Sequence, residues 1–210
     1  NSFDWYDHVT RDNPYTTAHT VSISNSTDRN NYFASLGYTD QAGITIDEYY
    51  KRINGRINLY TTVTDWFDID MQTFLTVSDY GPQVYSLNDR YLEPFATPYN
   101  EDGELELRPT GNPINPLIQA AADIQDSRLT LNGYITGTIY LPLEGLKYQL
   151  RFGNNYITRD NNLFDASGAN VTGFGYKEHE KEYTYSLDNI LTYSRVFNNI
   201  HQLDVTLLYG

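Results

Sequence analysis

The stretch RINGRINLYTTVTDWFDIDMQ, residues 52 to 72, alternates apolar and polar side chains for most of its length, and this pattern constrains the fold most. Ile53, Gly55, Ile57, Leu59, Thr61 and Val63 take one parity, and Arg52, Asn54, Arg56, Asn58, Tyr60 and Thr62 the other. Successive side chains of a strand point to opposite faces, so this is a strand with one apolar and one polar side. In a soluble sandwich the apolar side faces a core. In a membrane barrel it faces lipid.

The same period recurs along the chain. Val21 and Ile23 alternate with serines, and Tyr32, Ala34, Leu36 and Tyr38 with Phe33, Ser35 and Gly37. Runs from Phe67 to Ser78, Arg128 to Leu141, Leu146 to Gly153, Tyr183 to Thr192 and Leu203 to Tyr209 continue the series, giving eight strands. Helical periodicity is nearly absent, with one brief candidate at NPLIQAAADIQ, 115–125. Several runs alternate for a dozen residues or more, whereas strands of soluble sheets average about five or six. A membrane-crossing strand needs roughly 9–11 residues plus overhang. TDRN (27–30), TDW (64–66), PLEG (142–145) and NNI (198–200) are tight connections, and between them lie long polar ones at 40–49, 79–127 and 159–181. Short turns at one end and long loops at the other are the pattern of an antiparallel transmembrane β-barrel. Tyr60, Tyr140, Tyr148, Tyr193 and Phe197 near the turns, and Trp66 within one, suit an aromatic girdle at the membrane boundary. The apolar side is therefore expected to point outward.

Composition narrows the function. Acidic residues outnumber basic ones 27 to 14, a formal charge of −13, with no basic cluster, so nucleic acid is excluded as a partner and polyanions are poor candidates. The chain has no cysteine, hence no disulfide, thiolate metal site or cysteine nucleophile. No apolar run is long enough for a transmembrane helix, which says nothing of a barrel. Residues 1–20 lack the charged and apolar regions of a signal peptide.

Specific words now carry a resemblance. NYFASLGYTDQAGI (31–44) followed by YKRINGRINL (50–59) resembles two successive early strands of SusC/RagA-type TonB-linked outer-membrane proteins. Asp4-Trp5, Asn115-Pro116 and LPLEGLKYQLRFGNNY (141–156) resemble further words of that family, in the family's order, so the likeness spans Asp4 to about Tyr209. It implies a wall segment of a 22-stranded barrel that is filled by an N-terminal plug and paired with a SusD-like surface lipoprotein. It also implies import of glycans, oligosaccharides or peptides across the bacterial outer membrane, energised by TonB through an N-terminal part. The 210 residues hold no plug and too few strands, and end on Leu208-Tyr209-Gly210 where such barrels finish on an aromatic residue. The expectation is an excerpt: the end of the first outer loop, then strands two to nine, with 79–127 a large extracellular loop.

Candidate sites follow from placement. Tyr80, Tyr85, Tyr91, Phe95 and Tyr99 in the large loop could stack on sugar rings or meet the lipoprotein, or simply pack the loop. Asn100, Asp102, Glu104 and Glu106 alternate around Gly103 as oxygen ligands of a calcium loop do, although the distant bidentate glutamate is missing and solvated acid is the favoured reading. Arg56, Asp68, Asp70, Arg128 and Arg151 fall on the polar parity and are assigned to the lumen, with Asp68 and Asp70 placed against the plug rather than in catalysis. Glu178-His179-Glu180 reads as the charged rim of a loop, because neighbours on a strand face opposite ways. His8, His19 and His201 are isolated, and no HExxH, GxSxG, Walker or GxGxxG motif occurs. Gly55, Gly133 and Gly137, within strands on the lipid parity, mark curvature or close neighbour approach. Neither an enzyme nor a cofactor is expected. Two rivals stay open: a small self-contained eight-stranded barrel with a structural or adhesive role, closing TTAHTVSIS on QLDVTLLYG, and a soluble carbohydrate-binding β-sandwich.

Overall fold

In the computed structural model, described over residues 3–81, 93–109, 111, 115, 117–118, 123–165 and 174–210, the alternating runs form eight strands. These are β1 (Tyr15–Ser26), β2 (Asn30–Ala42), β3 (Tyr49–Thr64), β4 (Phe67–Tyr80), β5 (Asp123–Tyr140), β6 (Leu146–Asp165), β7 (Phe174–Phe197) and β8 (His201–Tyr209). Each pairs antiparallel with the next in one sheet of order β1 to β8. Among the described residues the sheet is not closed, since β1 pairs only with β2 and β8 only with β7.

The register carries the sequence parity across the sheet. Val21 lies opposite Leu36, Leu36 opposite Gly55, then Leu75, Leu131 and Tyr156 follow on the same face. One residue away, Ser35, Arg56, Phe74, Asn132 and Asn155 form the corresponding row of the polar face. Among the described residues nothing packs on the apolar face: Val21 is 75 % exposed, Leu36 61 % and Ile57 51 %. A sheet left like this in water would forgo roughly 1.5–3 kcal/mol for every large aliphatic side chain it fails to bury. In lipid the loss disappears, so the uncovered face opposes the sandwich and fits a barrel wall.

The four tight connections match their expected places, the β7–β8 turn being instructive. Asn198 and Asn199 have φ of 49° and 54°. Asparagine is the non-glycine residue that best tolerates this left-handed region, which is why NNI can reverse the chain in three residues.

The long connections are shorter than the sequence suggests. Strands extend into all three, leaving 43–48, 81–122 and 166–173. The largest correction concerns 159–181, where pairing continues from Arg159–Glu180 up to Asp165–Phe174. At about 3.3 Å per residue, the 24 residues of β7 run roughly 80 Å, so the β6–β7 hairpin stands well past a membrane-crossing length. Its polar residues are ladder residues: Arg159 Nη1 meets Glu180 at 2.6 Å on one face and His179 Nδ1 meets Asp160 at 2.5 Å on the other. Glu178-His179-Glu180 is therefore strand, not loop rim. Asp123–Gln125, the end of the expected helix, likewise belongs to β5.

A helix does occur where none was expected, at α1 (Trp5–Val9). Asp4 caps it, its Oδ1 accepting the amides of Tyr6 at 3.0 Å and Asp7 at 3.3 Å. Five residues are too few for a visible period. Trp5 and Val9, one turn apart, are both buried. The Trp5 indole donates to the Glu93 carbonyl at 3.3 Å, and residues 9–11 bond to 44–46 through Arg11 N to Ile44 O and Ile46 N to Val9 O. Among the described residues the buried hydrophobic ones are Trp5, Val9, Ala42 and Ile118. The water-excluding core thus lies among the outer connections and the outer end of β2, not on the faces of the sheet.

Candidate functional site

The polar face has three tiers. Nearest the tight turns, Asp68 is 6 % exposed and its Oδ2 accepts two phenols, Tyr60 at 2.8 Å and Tyr140 at 2.9 Å. Tyr60 and Tyr140 take the polar parity, on the face opposite Tyr148, Tyr193 and Phe197, so the five do not form one girdle; the latter three keep the apolar parity. The next row runs Asp70, Thr136, Arg151 and Asp188 in register, with Arg151 Nε donating to the Thr136 hydroxyl at 3.3 Å.

Higher on the same face, three guanidiniums lie over rings: Arg151 on Tyr134 at 5.2 Å, Arg56 on Phe74 at 5.5 Å and Arg52 on Tyr50 at 5.9 Å from the ring centre. Such stacking fixes an otherwise mobile side chain while leaving its donors open. At the outermost tier Arg52, Ser78, Arg128 and Arg159 are successive partners across four strands. Ser78 is 2 % exposed between its flanking arginines. At the outer rim on the opposite face, beyond the membrane-spanning part, burial and then the Asp79 carboxylate push the Tyr49 phenol above its ordinary value.

The outer loops show how their residues are used. Tyr80 is the last residue of β4 and packs on Tyr50 with ring centres 5.0 Å apart. Phe95 is 82 % exposed, and Tyr99 is half-exposed and bridged to Leu105. Tyr85 and Tyr91 lie outside the described residues. Asn100 Oδ1 accepts the amides of Asp102 at 3.1 Å and Glu104 at 2.8 Å, and Gly103 has φ of 81°, so the alternating acids form a small hairpin that uses the Asn100 oxygen internally. Among the described residues no three His, Cys, Asp or Glu side chains converge.

Asn115 of the NP word is the loop's organiser. Fully buried, it donates through Nδ2 to the carbonyls of Pro98 and Glu106, both at 2.9 Å, and accepts the Leu117 amide at 3.0 Å. Tyr50, Tyr134 and Phe74 as arginine platforms, and Asn115, were not singled out from the sequence as site residues. For the rings a signal existed: each shares the parity of its arginine.

No family model matches the chain. A curated relative, TonB-dependent receptor P39 of Formosa agariphila, is 22 % identical over 199 residues, covering 86 % of this chain and 18 % of its own. The RagAB peptide importer in its open-open state superposes over 99 % of the chain with a TM-score of 0.76 at 17 % identity, and in its closed-closed state over 97 % with a TM-score of 0.74. Over this length the fold is that of the barrel of the RagAB importer. The chain spans about a quarter of the importer chain and under a fifth of the receptor.

Proposed function

We propose that this chain is wall and outer-loop structure of a TonB-dependent outer-membrane importer, working by binding and translocation without covalent chemistry. The observation that carries the reading is the register itself. Eight strands hold an exposed aliphatic face on one side and a hydrogen-bonded polar face on the other. Interior Arg56, Asp68, Asp70, Arg128 and Arg151 would meet solute or a plug. Tyr80, Phe95 and Tyr99, with Tyr85 and Tyr91, would contact substrate or a SusD-like lipoprotein. The solved neighbour is a peptide importer, which favours an oligomeric nutrient, peptide or glycan, as cargo.

An immunoblot of outer-membrane fractions with an antibody against residues 93–109 tests this. The expected result is a detergent-extracted band several times the 24.2 kDa of the chain, co-purifying with a lipoprotein. A membrane band at 24.2 kDa supports the small barrel instead, and a soluble band refutes the outward apolar face.

A further inference from the structure

We infer that the upper interior wall holds a cationic seat, built from Arg52, Arg56 and Arg128, for the carboxylate or sulfate groups of an acidic oligomeric solute. The inference rests on the importer reading and specifies the chemistry of its cargo.

Charge is the first ground. The charge of −13 makes polyanions poor candidates for the chain as a whole, and this tier is a local exception: among the described residues no ion pair reaches any of these three guanidiniums. Arg159, beside them in register, is already held by Glu180. Asp126, two residues before Arg128 on the same strand face, forms no ion pair with it.

Arrangement is the second. Arg128 stands directly opposite Arg159, and like charges at that position repel. Arg52 carries a buried Nε with no hydrogen-bond partner, a group that a folded protein seldom leaves unmet. A bound oxyanion beside Arg128 relieves the repulsion. Arg52 and Arg56 are also stacked on Tyr50 and Phe74, so their forks are held in place before any ligand arrives.

Spacing is the third. Two strand spacings separate Arg52 from Arg128, about 10 Å, and four residues separate Arg52 from Arg56, about 13 Å. An oligomer with repeated acidic groups matches this spread along and across the strands. Toward the turns the polar-face carboxylates are Asp68, Asp70 and Asp188; in the outer half of the same face Asp126 lies two residues beyond Arg128, and Glu178, Glu180 and Glu182 of β7 lie beyond Arg159, so the seat is confined to β3–β5.

The test uses the intact transporter that carries this segment, purified in detergent, with four probes: hexaglutamate, hexagalacturonate, a Gly-Ser hexapeptide and maltohexaose. The expected result is salt-sensitive binding of at least one acidic probe, weakened about tenfold or more in R56Q and R128Q and partly restored in R56K. R195Q, which removes an outward-facing arginine paired with Glu144, serves as the control and leaves binding unchanged. Which acidic probe binds separates peptide from glycan as the source of the charge. Equal binding of acidic and neutral probes, or equal losses for both in the variants, overturns the seat and points to plug contacts instead, while the importer reading stands. A transporter that does not reach the outer membrane overturns both.

Discussion

Asp68 accepts the hydroxyl of Tyr140 at 2.9 Å across 72 residues of chain, because β4 and β5 are neighbours and their turn-proximal ends coincide. The same oxygen takes Tyr60 from β3, so one carboxylate ties three strands together beside the short turns. Asp68→Leu removes the acceptor of two partly exposed phenols, which water can then meet, and is expected to cost about 1–3 kcal/mol, at roughly 0.5–1.5 kcal/mol per lost bond. Tyr140→Phe, which keeps the Tyr60 bond, should cost about 1 kcal/mol. Unfolding of the detergent-solubilised barrel, followed by its heat-dependent gel mobility, would measure both; equal effects would show that the shared oxygen is unimportant.

Gly133 sits where backbones approach closely. A Cβ there would come within 2.2 Å of the Gln72 carbonyl oxygen and 2.9 Å of Thr73 Cα, neither of which can move aside. At Gly55 the nearest atom, Leu75 Cβ, is 3.9 Å away. Gly133→Ala should therefore reduce assembled barrel in the membrane, at a cost of about 1–3 kcal/mol from overpacking, while Gly55→Ala is tolerated. Comparable yields of the two variants would refute the close approach.

Ile57 and Asn58 are neighbours on β3 that face opposite ways. Ile57→Arg sets a charge in lipid part-way up the wall and should cost up to about 2–4 kcal/mol, whereas Asn58→Arg faces the interior and should be nearly neutral. Membrane insertion yields in a matched pair of strains read the difference directly. The reverse order would mean the wall is inside out.

Asn115→Ala removes both donors to Pro98 and Glu106 and the acceptor of the Leu117 amide. The expected loss is local, about 2–3 kcal/mol at roughly 1 kcal/mol per bond, and leaves the barrel intact. Faster protease cleavage within 93–118, with unchanged barrel mobility, is the result to look for.

Much of this was legible in the chain because alternation is a local property: Ile53 to Val63 and Phe67 to Val77 declare their two faces without reference to anything else. The turns were equally local, since Asn198-Asn199 can adopt a left-handed backbone that most residues avoid. Parity alone even sorted Arg56, Asp68, Asp70, Arg128 and Arg151 onto one face. What it could not do was set partners across the sheet. Tyr60 and Tyr140 looked like girdle residues beside turns until the register of β3, β4 and β5 turned both toward Asp68. Arg159–Asn162 and Lys177–Lys181 read as loop because their residues are polar on both parities, and only pairing between β6 and β7 makes them a ladder. Likewise a five-residue helix at Trp5 and a buried Asn115 depend on contacts with residues 93–107, far along the chain. The amino-acid sequence by itself determined which face of each strand is apolar, since that depends only on neighbours two residues apart. The tertiary structure decided which charges and hydroxyls meet, because those contacts exist only once strands are set side by side in one register.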